Sequence, residues 1–267
     1  LQSSPFSSIV FWSTKMSDEL IYIKQSFAEM HGLKMSVTYL GNDAVGASNA
    51  SQTIFMIGNN DEKPTFSFKS LCTRDRISEL HARISCFPDT EIVLNQHPNQ
   101  EVMSLDIKSR KGKIKSVFGC MKESVIYGRE KTLEDIAMGG SAARERPPKR
   151  INTTNQFEIS VPTTEELDDI KRLASALKSK YISVTFDKVM KYSLLSERNE
   201  TAEITSESLV TPLTNQTLFH FRYLVDDFLL IVKAYPTISK IYVCSNGAWL
   251  FPTSLFNVYM APIKNIT

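Results

Sequence analysis

The chain is predicted to be an α+β protein of two similar domains, each built from two strand–helix–strand units with added hairpins. Three observations carry this. The order strand, amphipathic helix, strand recurs four times in 267 residues. Within each copy a period-2 apolar pattern gives way to a helical period and then returns. One segment rich in Gly, Pro and charge, Lys131–Thr154, interrupts the rhythm between the second and third copies. The expected domains are residues 1–130 and 155–267, with a linker at 131–154 between them.

The first copy, Phe6–Tyr39, is the weakest. FSSIVFW reads as a strand, and SDELIYIKQSFAEMHG as a helix with Leu20, Ile23, Phe27 and Met30 in phase. LKMSVTY is the returning strand, and Gly32 stands where a helix C-terminal glycine belongs. DAVGASNASQTIFMIG follows as a hairpin. In the second copy TFSFKSL alternates through Phe66, Phe68 and Leu71, so a strand is expected over 65–71. TRDRISELHARIS carries Ile77, Leu80 and Ile84 on one stripe, and TEIVL is a short strand. VMSLDIKS and KIKSVFGCM then face each other across a tight turn.

The third copy is the clearest. Phe157, Ile159 and Val161 share one strand face in QFEISVP. Thr163 and Glu166 have capping-box spacing, and Leu167, Ile170, Ala174 and Leu177 form a helical stripe. YISVTF closes the unit, and VMKYSLLSE and TAEITSES add two strands. In the fourth copy TLFHFRYLV is strand-like, and DDFLLIVKAY is helical and stops before Pro236. KIYVC, a turn at Ser245–Gly247, AWLF and NVYMAPI complete it.

Composition excludes several classes. Hydrophobic residues make up 42% and charged residues 22%, which rules out a disordered tail, a collagen-like fibre and a coiled-coil rod. No apolar run is long enough to cross a bilayer as a helix, so no membrane role is expected. The N-terminal apolar stretch Ile9–Trp12 lacks a basic start and a small-residue cleavage site, so no secretory signal is expected. Cys72, Cys86, Cys120 and Cys244 stand far apart and read as free thiols rather than metal ligands. A net charge of +2 argues against a generally basic nucleic-acid binder, though not against a locally basic surface.

The search for catalytic motifs finds no phosphate-binding glycine loop, no nucleophile elbow and no His-Glu-x-x-His. His31, His81, His97 and His220 fall in different units with no shared spacing. Glu165, Glu166, Asp168 and Asp169 crowd one helix's first turn, where carboxylates favour the helix dipole; Asp226 and Asp227 do the same. No catalytic residue, cofactor or metal is expected.

RYLVDDFLLIVKAYP, a strand and short helix ending in Lys-Ala, a residue and Pro, is similar to a segment of one known family. VYMAPI resembles that family's last strand, which ends in Ala-Pro. On these residues and the doubled architecture, the chain resembles the DNA sliding clamps of the proliferating cell nuclear antigen type and their phage counterparts. Architectural resemblance covers most of the chain; close sequence similarity is confined to the last third, and this divergence points to a phage or virus.

The resemblance implies a homotrimeric ring around double-stranded DNA, helices lining the hole and sheets outside. It implies no catalysis. It implies tethering of a DNA polymerase, and service by a clamp loader, through short peptides docked in an apolar groove. Carried over by position, Pro236, Ala261 and Pro262 floor that groove and Val125–Met138 covers it; Pro236 and Pro262 fit a helix stop and a strand end equally well. The place of work is the site of replication, in the bacterial cytoplasm for a phage and in a nucleus or viral factory otherwise.

A non-specific clamp needs cations facing phosphates. Opposite or beside the helical stripes lie Lys24, Arg76 and Arg83, Lys171, Arg172 and Lys178, and Lys233. Any one of these is most simply a solvated side chain; as a set on a repeated architecture they are the expected DNA-facing residues. Lys108–Lys115 and Arg144–Arg150 are secondary basic clusters. Two rival functions keep fewer of the observations. One is a clamp-like viral factor acting as monomer or dimer or in late transcription; the other is a metal-dependent nuclease.

Overall fold

The computed structural model describes residues 18–59, 62–86, 90–109, 114–126, 154–186, 189–214 and 219–263. The predicted strand at Phe6–Trp12 and nearly all of the linker lie outside them. Five helices are described: α1 (Asp18–Gly32), α2 (Ile77–Ser85), α3 (Glu123–Ile126), α4 (Thr164–Leu177) and α5 (Val225–Ala234).

In the N-terminal half the strands are β1 (Met35–Gly41), β2 (Val45–Asn49), β3 (Ile54–Gly58), β4 (Ser70–Arg74), β5 (Thr90–Gln96), β6 (Val102–Ser109) and β7 (Lys115–Gly119). The C-terminal half adds β8 (Asn155–Ile159), β9 (Tyr181–Phe186), β10 (Met190–Leu195), β11 (Thr201–Thr205) and β12 (Val210–Pro212). It ends with β13 (Phe219–Leu224), β14 (Ile241–Cys244), β15 (Trp249–Pro252) and β16 (Phe256–Met260).

Nine strands form one sheet in the order β12-β8-β14-β15-β16-β3-β2-β1-β4. It crosses between the halves at one antiparallel pair, with Met260 opposite Ile54 and Phe256 opposite Gly58. The order β11-β10-β9-β13 makes a second sheet and β5-β6-β7 a third. Alternation along the strands divides the faces of the large sheet. Ile54, Met56, Val258, Met260, Trp249 and Phe251 enter the main core with the helices, whereas Phe55, Ile57, Tyr259, Ala261 and Leu250 lie on the opposite, outer face.

The helices form as their stripes require. Tyr22, Ile23, Phe27 and Met30 of α1 are buried, as are Ile77, Leu80 and Ile84 of α2. The Thr163 hydroxyl accepts from the Glu166 amide, while the Glu166 carboxylate accepts from the Thr163 amide, so the capping box is complete. Trp249 is fully buried, with the rings of Phe186, Phe228, Tyr223 and Phe251 around it at 5.3–6.2 Å.

Two sequence expectations are corrected. Thr65–Lys69 is not part of a strand; β4 begins at Ser70. Phe66 and Phe68 stack at 4.9 Å in an irregular segment, where the Asn42 side chain supplies the hydrogen bonds a ladder would have made. It accepts from the Phe66 amide at 2.7 Å and donates to the Phe66 and Phe68 carbonyls at 2.9 and 3.3 Å. The chain reversal after α1 falls not on Gly32 but on Lys34, at φ 53°. At Gly247 the expected turn does demand glycine: φ is +81°, and an added Cβ would stand 2.4 Å from the Phe221 ring.

The joint between halves also carries two reciprocal carboxylates. Glu29 of α1 accepts from Tyr235 at 2.7 Å and Thr253 at 3.2 Å. In return Asp227 of α5 accepts from Ser51 at 3.4 Å and from Thr53.

Candidate functional site

Among the edge strands of the described residues are β7 and β11, and backbone alternation says which groups they expose. Ser109 N–H bonds the Ile114 carbonyl and Cys120 N–H the Met103 carbonyl, so the even-numbered residues of β7 point to β6. Lys115, Val117 and Gly119 therefore aim their N–H and C=O groups at the free edge. On β11, Ser196 N–H bonds the Glu200 carbonyl and Ser206 N–H the Met190 carbonyl. Thr201, Glu203 and Thr205 thus aim theirs outward. Val117 is 52% exposed, and Leu195 beside β11 is 46% exposed.

The two halves repeat one plan, and that makes these edges related. The last strand of the C-terminal half, β16, pairs antiparallel with β3, the third strand of the N-terminal half. By the same plan β7, the last strand of the N-terminal half, matches β11, the strand in β3's place. Among the described residues β7 and β11 belong to separate sheets and have no such partner.

The helix side holds the predicted basic residues, in differing roles. Lys171, Arg172 and Lys178 of α4 are exposed, and Lys171 and Arg172 line an open depression with Asp168 and Ser175. Arg172 pairs with Asp169 yet leaves its side chain 75% exposed. Lys178 ends α4 in a left-handed conformation, φ 52°. Lys233 crosses from α5 to Asp168 at 3.0 Å, which holds that carboxyl below the ordinary carboxylate range. Lys24 is half-buried and donates to the Thr90 carbonyl at 3.0 Å.

Arg76 and Arg83 turn to the β7 edge, lying 4.4 and 5.8 Å from the Phe118 ring centre with Glu79 between them. Their hydrogen bonds, Arg76 foremost, hold the Glu79 carboxyl low. Over α1, α2, α4 and α5 with their caps Arg76, Thr163 and Lys178, ten carboxylates stand against seven Lys and Arg.

The predicted groove residues lie at the ends of α5 and β16. Ala261 and Pro262 are buried, Ala261 among Phe55, Ala248 and Tyr259 on the outer face. Pro236 follows Tyr235, whose ring packs 6.3 Å from Phe251 on the core side. Of Val125–Met138, nearly all lies outside the described residues.

Sequence reasoning missed one juxtaposition. His31 and His81 stack with ring centres 4.4 Å apart, at the seam of α1 and α2, each bonded to a serine, Ser78 and Ser85 respectively. Burial first, then His31, holds His81 below the ordinary histidine range. Fifty residues separate the two in sequence, and no local spacing announces them. The carboxylate run of α4 takes capping and ion-pair roles: Glu166 the cap, Asp168 and Asp169 the pairs. Among the described residues no three metal-ligating side chains converge, and no helix is long and apolar enough to cross a membrane.

No protein-family model matches the chain, and no curated protein matches it in sequence. Among solved structures it is similar to proliferating cellular nuclear antigen from Entamoeba histolytica, with a TM-score of 0.56 and 10% identity. The match covers 90% of this chain and 94% of that one. The chain has the sliding-clamp fold.

Proposed function

We propose that this protein is a DNA sliding clamp: copies join β7 to β11 head to tail, close a ring of three around duplex DNA, and hold replication proteins there. One observation carries the proposal. The chain already contains the closing contact, β16 on β3, and exposes the two halves of its repeat as free edges. A head-to-tail contact of this kind leaves neither of these two edges bare once the ring closes.

The weak helix-side charge fits the mechanism. A ring is retained on DNA by topology, so its phosphate contacts need only be loose enough to slide. Lys171, Arg172, Lys178 and Lys233 are the residues placed to make them, with Lys24 nearby. The role needs no catalytic residue, and a partner peptide from a polymerase or loader is assigned to the outer apolar cluster around Ala261, with Pro236 and Pro262 at its border. The site of DNA replication is the place where such a ring works.

The test is topological. Protein assembled on a nicked circular duplex should stay with the circle through gel filtration at moderate salt and be lost once the circle is cut. Equal loss from circular and linear DNA would contradict the proposal.

A further inference from the structure

The β7 edge is guarded, and the guard is made of two residues expected to face DNA. Arg83 Nη1 donates to the outward carbonyl of Val117 at 2.6 Å, and Arg76 Nη1 to that of Gly119 at 3.2 Å. These are carbonyls that an added strand would use. Both guanidinium groups are held from behind by α2's Glu79, which takes Arg76 at 2.8 and 3.1 Å and also Arg83. Both lie over Phe118, a side chain with no exposed surface. Among the described residues no side chain caps the outward amides of Thr201, Glu203 and Thr205 on β11.

We infer that Arg76 and Arg83 form a displaceable lock on the β7 edge, and that a phosphodiester backbone is the ligand that draws them off it. The inference rests on the ring proposed above. When β11 of a second copy pairs with β7, its amides take the Val117 and Gly119 carbonyls, and the arginine N–H groups that held them come free. Glu79 and Phe118 keep the two side chains on the helix side, where the freed donors meet phosphates. A guanidinium suits this because its planar fork holds five N–H donors in fixed directions, so it can face a carboxylate on one side and a second acceptor on another. Linkage makes the effect reciprocal: duplex favours closure, and closure favours duplex.

Arg76→Met and Arg83→Met in one chain remove the donors while keeping apolar bulk over Phe118. The assembly constant would be measured by sedimentation at several protein concentrations, with and without a short duplex. Wild type should assemble more tightly with duplex. The double variant should assemble on the order of tenfold more tightly than wild type without duplex, from two modest hydrogen bonds no longer broken, and should lose most of the response to duplex. The single variant Arg83→Met should fall between, and thermal melts confirm that each is folded. Unchanged or weaker assembly of the folded variants would overturn the lock while leaving the ring intact. A wild type that is monomeric under every condition would instead overturn the ring on which the lock depends.

Discussion

Tyr235→Phe tests how the two halves are held at their joint. The tyrosine hydroxyl donates to Glu29 at 2.7 Å from the other half of the chain. Thr253 is the weaker second donor. Its one proton is shared with the Phe256 carbonyl at 2.9 Å, closer than Glu29 at 3.2 Å. Removing the tyrosine hydroxyl leaves a half-buried carboxylate short of its main partner. A hydrogen bond to a charged group contributes ~1.5–3 kcal/mol, and partial exposure favours the lower end, so a loss of about 1.5 kcal/mol is expected at pH 7.5.

The pH dependence has a definite sign. Burial raises the Glu29 pKa above its ordinary 4.5, and the hydrogen bonds from Tyr235 and Thr253 oppose that rise. The folded state therefore holds its proton to higher pH than the unfolded state. Stability from this group is greatest below 4.5 and declines as pH rises through the folded value. Tyr235→Phe raises that value further, so the variant's deficit should shrink as pH falls from 7.5 to 5, towards the range in which Glu29 takes up its proton. Thermal melts of both proteins at the two pH values, at one fixed protein concentration, measure it. A domain-sized chain should lose about 3–6 °C at pH 7.5 and less at pH 5. An equal or larger loss at pH 5 would refute the reasoning.

Other substitutions probe other links. Val117→Pro and Glu203→Pro each remove an outward amide donor without touching the ladder to β6 or β10; each should leave melting of the protomer nearly unchanged and abolish self-association in sedimentation. Gly247→Ala should destabilise by at least ~2 kcal/mol in urea unfolding, because φ is +81° and the methyl meets the Phe221 ring. Thr163→Ala opens the capping box of α4 and should cost ~1 kcal/mol by the same measurement.

Much of the fold was legible where one short segment decides its own form. Thr163 and Glu166 define a helix start, Phe157 and Ile159 a strand face, and Ser245–Gly247 a turn, all through neighbours within a few residues. The misreadings share a cause in distant contacts. Phe66 and Phe68 alternate like a strand because both are pinned into the core, and the pinning residue, Asn42, lies 24 positions upstream.

For the candidate site, the helical period shows that Arg76 and Arg83 lie off the apolar stripe, but not that β7 waits beside them. Which strand meets which across the halves, β16 on β3 above all, is set by packing between elements and leaves no local mark. Nor does the stacking of His31 on His81. Pro236, Ala261 and Pro262 were grouped by analogy of position; the alternation of β15 and β16 puts Ala261 on the outer face of the large sheet.

The central claim is that β7 of one copy closes on β11 of the next. Its most direct test is mass in solution, by light scattering behind size exclusion over a concentration series, with and without a short duplex. The ring predicts a species at three times 30.2 kDa that persists on dilution further with duplex than without. A mass of 30.2 kDa at every concentration, with and without duplex, would contradict it.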